Sequence, residues 1–352
     1  MCKQEFLVSG FSFLVRRRLC LYCKSLTDNG LMPRRISTEE ALTAIRAIRD
    51  APETFDLKRD LASFLRHKSN HVAAAAADTV ARLEAVGLAD ELASAFADWS
   101  KNPGERDPGC KALTAIAKTL ATMDHPAAQV YSFGIRHVQK EASYGPPVDT
   151  AAALRGICAQ GLVRMSYPDA LEQCVTLLVD PEVAARAGAV RAISESGQVA
   201  GVLLLRYKAL IGDSDEDVTA ECFAGLLRLA PAESVAFVAK FLDSDSEEIR
   251  DRAALALGES RLAAAVPCLR EAWERNVHGP FRRTLLLAMA MLRQDEAVEF
   301  LLARLAEDSE KSAIDALSAL ALYGRDETVR RRIEEILAMR NIPALRAKWR
   351  EQ

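Results

Sequence analysis

The chain of 352 residues carries 46 Lys and Arg against 49 Asp and Glu. Its formal net charge of −3 argues against wholesale binding to a phosphate backbone, which needs a dominant basic face. Half of the residues are apolar and only 6% are aromatic, a balance that suits helices packed through Ala and Leu and disfavours a β-sheet protein. Strand-like alternation never extends beyond a few positions, so the predicted fold class is all-α.

Residues 1–36 are predicted to be a non-repeat N-terminal segment, disordered or a spurious upstream extension. Phe6 to Val15 form a mostly apolar run, and Arg16-Arg17-Arg18 and a Cys-x-x-Cys element at Cys20 and Cys23 follow. Ten residues are too few to span a bilayer, and a secretory signal would place its positive charges before the apolar run. Three interpretations stay open: a spurious extension, a membrane-surface or targeting segment, and half of a metal site, for which one Cys-x-x-Cys is weak evidence.

The sequence from Met32 to Glu40 is typical of a natural beginning. Ser37 and Glu40 have the spacing of a capping box, in which each side chain binds the other residue's backbone N–H. The first helix is therefore predicted to start directly after Ser37.

The first half of the chain carries a loosely spaced helical register. Its anchors are Val72, Ala112 and Thr150, which lie 40 and 38 residues apart, and the next anchor follows 35 residues later. The extra residues fall in two stretches rich in Pro and Gly, 101–108 and 144–147. Such irregular loops either carry what is specific to a repeat protein or are tolerated insertions.

From residue 185 onward the same helical phrase returns every 31 to 33 residues. Each anchor is followed by small or apolar residues at plus 4, plus 5, plus 7 and plus 8, which share one side of a 3.6-residue period. The anchors are Ala185, Val218, Ile249, Phe281 and Ser312. The Ala and Gly at these positions are typical of closely packed helices.

A second set of apolar residues keeps step with the first and predicts a second helix in each unit. These residues are Leu203, Val235, Val266, Val298 and Val329. Because one amphipathic helix cannot cover itself, pairs must stack on neighbouring pairs. We predict a right-handed α-α superhelix of about eight helical hairpins plus capping helices. It would form a single solenoid over 37–352, most regular over 180–340, with a C-terminal capping helix at 342–350.

Acidic and Ser-rich runs precede several first helices. They begin at Asp180, Asp213, Asp243 and Asp308. Asp and Ser accept hydrogen bonds from free backbone N–H groups, and carboxylates oppose the positive end of the helix dipole. None has the alternation of a calcium loop, so helix capping is the predicted role.

The phrase Asp-Ser-Glu-Glu-Ile-Arg-Asp-Arg-Ala-Ala-Leu-Ala-Leu-Gly, residues 245–258, resembles a HEAT-type repeat of the short bacterial kind also found in phycobilin lyase subunits. The resemblance is strong over 180–340 and weaker upstream. It implies an armadillo-type α-solenoid. It does not transfer chemistry, because no residue here identifies tetrapyrrole attachment.

No catalytic motif is found, and no cofactor or metal is expected. HEAT-repeat deoxyhypusine hydroxylases carry repeated His-Glu pairs, whereas none of the five His residues here is followed by Glu. His67 and His71 have i, i+4 spacing, but Ser69-Asn70 between them is typical of a helix break. The three Trp residues are too far apart to line one glycosylase-like pocket, and Trp273 is predicted to pack in the core.

The eight Cys residues do not form a disulfide framework. Cys158 and Cys222 occupy core positions of the repeat phrase, where a thiol behaves as a small apolar side chain. This pattern predicts a reduced, cytoplasmic protein.

The predicted function is a protein–protein scaffold that holds a macromolecular partner in a groove of second helices. The predicted contacts are Lys208, Lys240 and Arg330, which the ladder places as outward-facing positions in a sparse basic row. The alternative is a lyase-like or assembly-factor protein acting on a cofactor-bearing partner. Nucleic-acid binding is less favoured by the charge, because the only concentrated basic features lie beyond residue 325, where a capping role also explains them.

Overall fold

The computed structural model describes residues 36–277 and 279–351. This part of the chain contains twenty α-helices, several 3-10 turns and one short β-hairpin, which confirms the all-α prediction. The apolar run at 6–15, the Cys-x-x-Cys element and His278 lie outside the described residues. The chain divides between Ala189 and Val190 into two compact units, each of which is built from helical pairs. The single solenoid over 37–352 stays a prediction.

The first unit contains four complete helical pairs, a one-turn helix and the beginning of a fifth pair. The helices are α1 (Thr38–Asp50), α2 (Leu57–Leu65), α3 (Asn70–Arg82), α4 (Ala89–Trp99), the one-turn α5 (Pro103–Arg106), α6 (Lys111–Thr122), α7 (Ala128–Gly134), α8 (Ala152–Arg164), α9 (Ala170–Leu177) and α10 (Val183–Glu195), whose last residues belong to the second unit. The hairpin between α7 and α8 pairs β1 (Lys140–Glu141) with β2 (Val148–Asp149) in antiparallel fashion.

The second unit continues the pairs to the end of the described chain. Its helices are α11 (Val199–Ile211), α12 (Glu216–Leu229), α13 (Pro231–Ala239), α14 (Glu247–Glu259), α15 (Ala265–Arg275), α16 (Phe281–Leu292), α17 (Asp295–Glu307), α18 (Glu310–Leu320), α19 (Glu327–Arg340) and α20 (Pro343–Arg350). In the described residues the α1–α2 pair precedes the eight pairs whose first helices follow the sequence register.

The repeated phrase of the first helices forms the core, as predicted. Every plus 4, plus 5, plus 7 and plus 8 residue is buried in all five repeats, from Ala189 in α10 to Leu320 in α18. Side chains at these spacings share one helix face, and removing that face from water stabilises the stack.

Small residues in the phrase let helix backbones touch. A Cβ placed on Gly258 of α14 would lie 2.6 Å from the Ala288 carbonyl oxygen and 2.8 Å from the Ala288 Cα of α16. We expect Gly258→Ala to lower the free energy of unfolding by about 1–3 kcal/mol, because rigid backbone must move to admit the methyl group. Urea unfolding would measure this loss. The control is Gly104→Ala, since nothing lies within 4 Å of a Cβ at Gly104. A loss at Gly258 no larger than in that control would contradict the close approach.

The first helices often end on a residue in the left-handed region that is not glycine. Glu84, Asp124, Ser166, Arg261 and Arg293 have φ between 49° and 55° at the turn between first and second helix. Non-glycine side chains pay a conformational cost there of about 1 kcal/mol, and the sequence gives no sign of it because Gly is the usual residue.

Arg261 tests this strain because its side chain is exposed. We expect Arg261→Gly to raise the free energy of unfolding by roughly 0.5–1 kcal/mol, since glycine adopts φ of 55° without a steric penalty. Arg261→Val is expected to lower it, because a β-branched residue fits this region worst. Urea unfolding of the two variants should give shifts of opposite sign, and equal shifts would contradict the interpretation.

The predicted capping signals form at several helix starts, but in the run that begins at Asp308 the N-cap residue Ser309 makes no side-chain cap hydrogen bond. The Glu40 backbone N–H donates to Ser37 Oγ at 3.2 Å, and the Ser37 N–H donates to Glu40 Oε2 at 3.0 Å. Asp215 accepts from the Asp217 N–H, and Ser246 accepts from the Ile249 N–H. The acidic runs therefore fix where α12 and α14 begin.

Candidate functional site

The second helices follow the predicted ladder except in α11. Val235, Val266, Val298 and Val329 are at most 9% exposed, whereas Leu203 is 65% exposed. In α11 the buried face is formed by Gly201, Leu205, Lys208 and Ala209. The anchor is therefore Gly201, two residues earlier than predicted, and a two-residue shift turns a helix by about 200°.

This rotation corrects the prediction for Lys208. Its side chain is 8% exposed, and its Nζ lies 2.7 Å from Oδ2 of Asp213, whose side chain is 2% exposed. Lys208 therefore does not line an outward row, because it stands at the inward-facing position that Trp273 takes in α15. Its ion pair with Asp213 joins the C-terminal turn of α11 to the loop before α12.

The same rotation leaves an apolar stripe on the surface of α11. We call Val199, Leu203, Tyr207, Leu210 and Ile211 the α11 stripe; their exposures are 80, 65, 65, 67 and 56%. Residues at these intervals lie on one side of a helix. The one other exposed residue of α11 is Ala200, so every exposed position of this helix is apolar. Contiguous exposed apolar surface of this kind marks interaction sites.

The two basic side chains of α11 both contact other residues of the second unit. Arg206 donates from Nη2 to the Glu233 carbonyl oxygen at 3.0 Å and lies over the Phe237 ring at 5.3 Å. Lys208 is paired with Asp213. Both charged side chains of this helix thus contact its neighbours, while the exposed positions are apolar, unlike an ordinary surface helix, which exposes its polar residues.

Other second helices of the same unit present charged residues at exposed positions. α17 exposes Glu296 and Glu299, and α19 exposes Arg330 and Arg331. Exposed large apolar residues in the second unit outside α11 are Val277, Leu287, Leu322 and Met339. The stripe is therefore particular to α11 among the described second helices of this unit.

Lys240 and Arg330, the other two predicted contacts, are exposed. Lys240 follows α13 in a 3-10 turn. Arg330 Nε lies 3.1 Å from Glu334 Oε1 one turn later in α19, and both side chains are about half exposed. Such a pair is worth little at the surface. The structure brings neither residue together with Lys208, and their role in binding stays a prediction.

The first unit has a cavity of about 520 Å³ between two of its own second helices, α4 and α7. Phe96 and Phe133 meet there edge to face with ring centroids 5.8 Å apart, and His137 stacks on Phe133 at 5.2 Å. Ser100, His125, Pro126 and Gln129 also line it. No charged side chain lines this cavity, so it offers aromatic surface and few fixed polar contacts.

The irregular loop at 144–147 is the tip of the hairpin, and Tyr144 is fully exposed there. A buried network holds the hairpin base. Arg155 donates to Asp149 Oδ2 at 2.7 Å and to the His137 carbonyl oxygen at 2.9 Å, and it binds both carboxylate oxygens of Asp180 at 2.9 Å. This network connects three successive segments of the first unit, so we assign it a structural role.

The histidines and cysteines have ordinary structural surroundings. His67 precedes α3 and its Nδ1 accepts the Ser69 N–H at 3.1 Å, so His67 and His71 do not share a helix, as predicted. Burial raises the pKa of the Cys110, Cys174 and Cys222 thiols to about 12, which leaves them protonated and unreactive near neutral pH. In the described ranges no group of three or more His, Cys, Asp or Glu side chains is placed to hold a metal ion.

Sequence reasoning missed the α11 stripe because it took apolar residues as buried. A signal was present: Val-Ala-Gly-Val-Leu-Leu-Leu-Arg-Tyr-Lys-Ala-Leu-Ile has no polar face. A helix in a stack of pairs contacts neighbours on only part of its surface. Some of these side chains must therefore face outward.

Residues 203–290 match a family model described as HEAT repeats. Among solved structures, the chain is similar to YibA from Escherichia coli, with 16% identity, a TM-score of 0.42, and coverage of 83% of this chain and 99% of YibA. It is similar to an engineered protein with 15% identity, a TM-score of 0.39, and coverage of 80% of this chain and 82% of the engineered protein. It is also similar to the complex of CpcE and CpcF of phycocyanin lyase from Nostoc sp., with 12% identity, a TM-score of 0.34, and coverage of 67 and 92%. No curated protein matches the sequence.

These structural similarities are low, so the fold assignment rests on the helical pairs and the repeat match. In the described part of the chain, no helix combines the length and apolar character needed to cross a membrane.

Proposed function

We propose that this chain, whose residues 203–290 carry HEAT repeats, is a scaffold that binds a protein partner through the exposed faces of its second helices. The α11 stripe is the observation that supports this proposal most directly. Stacked helical pairs give a rigid surface, so the scaffold itself adds little ordering cost to binding.

The distribution of exposed apolar residues supports the choice of face. Among the described helices, large apolar side chains are exposed mainly on second helices. These are Phe133 in α7, Val175 in α9, the α11 stripe and Met339 in α19, whereas first helices contribute Val183 and Leu287. Partner binding removes such surface from water at about 25 cal/mol per Å², which is the main favourable term in association.

Site-specific photocrosslinking in the source cell tests the proposal. A benzophenone amino acid replaces Tyr207, which is 65% exposed in the stripe, and Leu322, which is 49% exposed outside it, serves as the matched control. We expect discrete protein adducts from position 207 and none of the same mass from position 322. Adducts that are absent at 207, or identical at both positions, would contradict a partner site on α11.

Lys240 and Arg330 enter this proposal as secondary contacts. Both are exposed, so Lys240→Glu and Arg330→Glu should leave the free energy of unfolding within about 0.5 kcal/mol of the unmodified chain. If they contact the partner, the yield of the Tyr207 adduct should fall in the double variant. An unchanged yield would remove both residues from the interface.

A further inference from the structure

We propose that the segment held on the α11 stripe is an amphipathic helix that carries Lys or Arg beside its apolar face. This inference rests on the proposed function and names the chemistry of the partner. It is carried by the stripe together with exposed acidic side chains that form no ion pair with any described residue and that follow the C-terminal end of α11 and the equivalent point one repeat later.

The acidic side chains lie at two loops that connect a second helix to the next first helix: Asp245 is in the second loop, and Glu216, Glu247 and Glu248 are in the first turns of α12 and α14, directly after the loops. We call Glu216, Asp245, Glu247 and Glu248 the acidic rim; all four are exposed. Leu210 and Ile211 end α11 directly before the first of these loops. The second loop occupies the same place one repeat later.

Ion pairs neutralise several acidic residues beside the rim, whereas within the rim Glu248 accepts a hydrogen bond from the Ser246 hydroxyl at 3.1 Å. Asp213, Asp217 and Asp243 are paired with Lys208, Arg252 and Arg275. Among the described residues none of the four rim carboxylates forms an ion pair. Residues 213–248 hold ten acidic residues and two basic ones, and the acidic residues stay in excess even with Arg191, Lys208, Arg252 and Arg275, which pair with four of them from outside the stretch.

The stripe itself sets the shape and size of the occupant. α11 has 13 residues and is therefore about 20 Å long, which matches three to four turns of a facing helix. Its apolar side chains recur at helical intervals, and ridges of this kind pack into the grooves of another helix. An apolar helix face with a basic flank thus satisfies both the stripe and the rim.

Fluorescence anisotropy with the full chain tests the inference. The probes are three labelled 18-residue peptides: an amphipathic Leu/Lys helix, the same pattern with Glu for Lys, and a scrambled Leu/Lys sequence. We expect the amphipathic Leu/Lys peptide to bind at least tenfold more tightly than the other two. Its affinity should fall with added salt because the rim contacts are exposed.

Three variants locate the site. The stripe variant Leu203→Ser/Tyr207→Ser/Leu210→Ser and the rim variant Glu216→Lys/Glu247→Lys/Glu248→Lys should each weaken binding of the Leu/Lys peptide at least tenfold. The control Leu322→Ser/Met339→Ser removes exposed apolar residues elsewhere in the same unit and should leave binding unchanged. Binding equally weakened in the control, or unaffected in the stripe variant, would overturn the site.

The remaining outcomes separate the inference from the proposed function. If the Glu peptide binds as well as the Lys peptide and both depend on the stripe, the scaffold stands and the basic partner is wrong. If no peptide binds but Tyr207 crosslinks a partner, the crosslinked segment must be basic and amphipathic for the inference to survive. If no peptide binds and Tyr207 gives no adduct, both fail.

The same variants also test three other occupants of the stripe. Phosphatidylcholine vesicles that bind the full chain but not the stripe variant would identify a lipid surface instead. If sedimentation shows a dimer of the unmodified chain and a monomer of the stripe variant, the occupant is a second copy of the chain. A melting temperature several degrees lower in the stripe variant would show that the chain covers the stripe itself, and each of these results would overturn the inference.

Discussion

Lys208→Glu is expected to lower the free energy of unfolding by about 3–5 kcal/mol or more, enough to threaten a marginally stable domain. The Lys208 ammonium and the Asp213 carboxylate are buried against each other with 2.7 Å between Nζ and Oδ2. Reversal places two carboxylates at that distance and leaves no cation to compensate them. Urea unfolding followed by circular dichroism measures the loss.

Two controls separate burial from charge. Lys240→Glu has the same charge change at an exposed position and should stay within about 0.5 kcal/mol. Lys208→Met/Asp213→Asn removes both charges while keeping an acceptor for the Asp215 N–H, which bonds Asp213 Oδ1 at 3.0 Å. This double variant should recover most of the stability, because a neutral pair carries no desolvated charge.

An outcome in which Lys208→Glu is as stable as Lys240→Glu would show that Lys208 faces solvent after all. It would also mean that α11 is rotated so that Leu203 is buried, and the α11 stripe would then not be an exposed surface. The stability of this one variant therefore tests the geometry on which the partner proposal depends.

The first helices were predictable because their two faces differ in chemistry. In α14, charged residues that include Arg252 and Glu259 flank the apolar set Ala253, Ala254, Ala256 and Leu257, and only one rotation of the helix buries this set. All four are buried in the structure. Periodicity determines a helix phase when apolar and polar residues are both present.

The phase of α11 was not predictable in the same way. Nearly every position is apolar, so several rotations bury a similar amount of surface. Contacts across the pair choose between them: a Cβ on Gly201 would meet Leu229 and Ile193 side-chain atoms at 3.1 and 3.2 Å, which shows how closely that face is packed. Only a small residue fits there, and this tertiary information is absent from the spacing of Leu203, Val235 and Val266.

The buried network of the first unit was missed for a related reason. Arg155 lies six residues from Asp149, 18 from His137 and 25 from Asp180, and no repeat spacing connects them. Asp180 was predicted as a helix cap, and it does accept the Glu182 N–H at 2.8 Å. Its second role, holding Arg155, depends on the fold that brings α8 to this turn.

Arg155→Met is the second substitution with a large expected effect, about 3–5 kcal/mol of unfolding free energy in the first unit. Arg155 is 2% exposed and satisfies Asp149, Asp180 and the His137 carbonyl oxygen together. Methionine fills similar space but leaves two carboxylates without their cation. Arg155→Lys should lose less, since it keeps the charge but cannot bind Asp180 through two nitrogens.

The stability lost in Arg155→Met should depend on pH, and the charges of the network determine the direction of this dependence. Burial raises the pKa of Asp149, but the Gln139 and Ala151 N–H groups and the Arg155 guanidinium outweigh it, so the pKa lies below its ordinary value. A carboxylate with a lowered pKa stabilises the fold at neutral pH, and this contribution is lost as the pH falls through the folded-state pKa. Removing Arg155 takes away one of the groups that lower the Asp149 pKa, so this pKa is higher in the variant and protonation relieves the folded variant at a higher pH.

The difference in stability between the unmodified chain and Arg155→Met should therefore be largest near pH 7 and should shrink below about pH 4. Urea unfolding at a series of pH values, with Arg49→Met as a control for removal of an exposed Arg, measures this difference. A difference in stability that is constant with pH would mean that the lost stability comes from packing of the aliphatic part of the Arg155 side chain. A gap that narrows in acid would assign it to the charges that hold the hairpin base to α8.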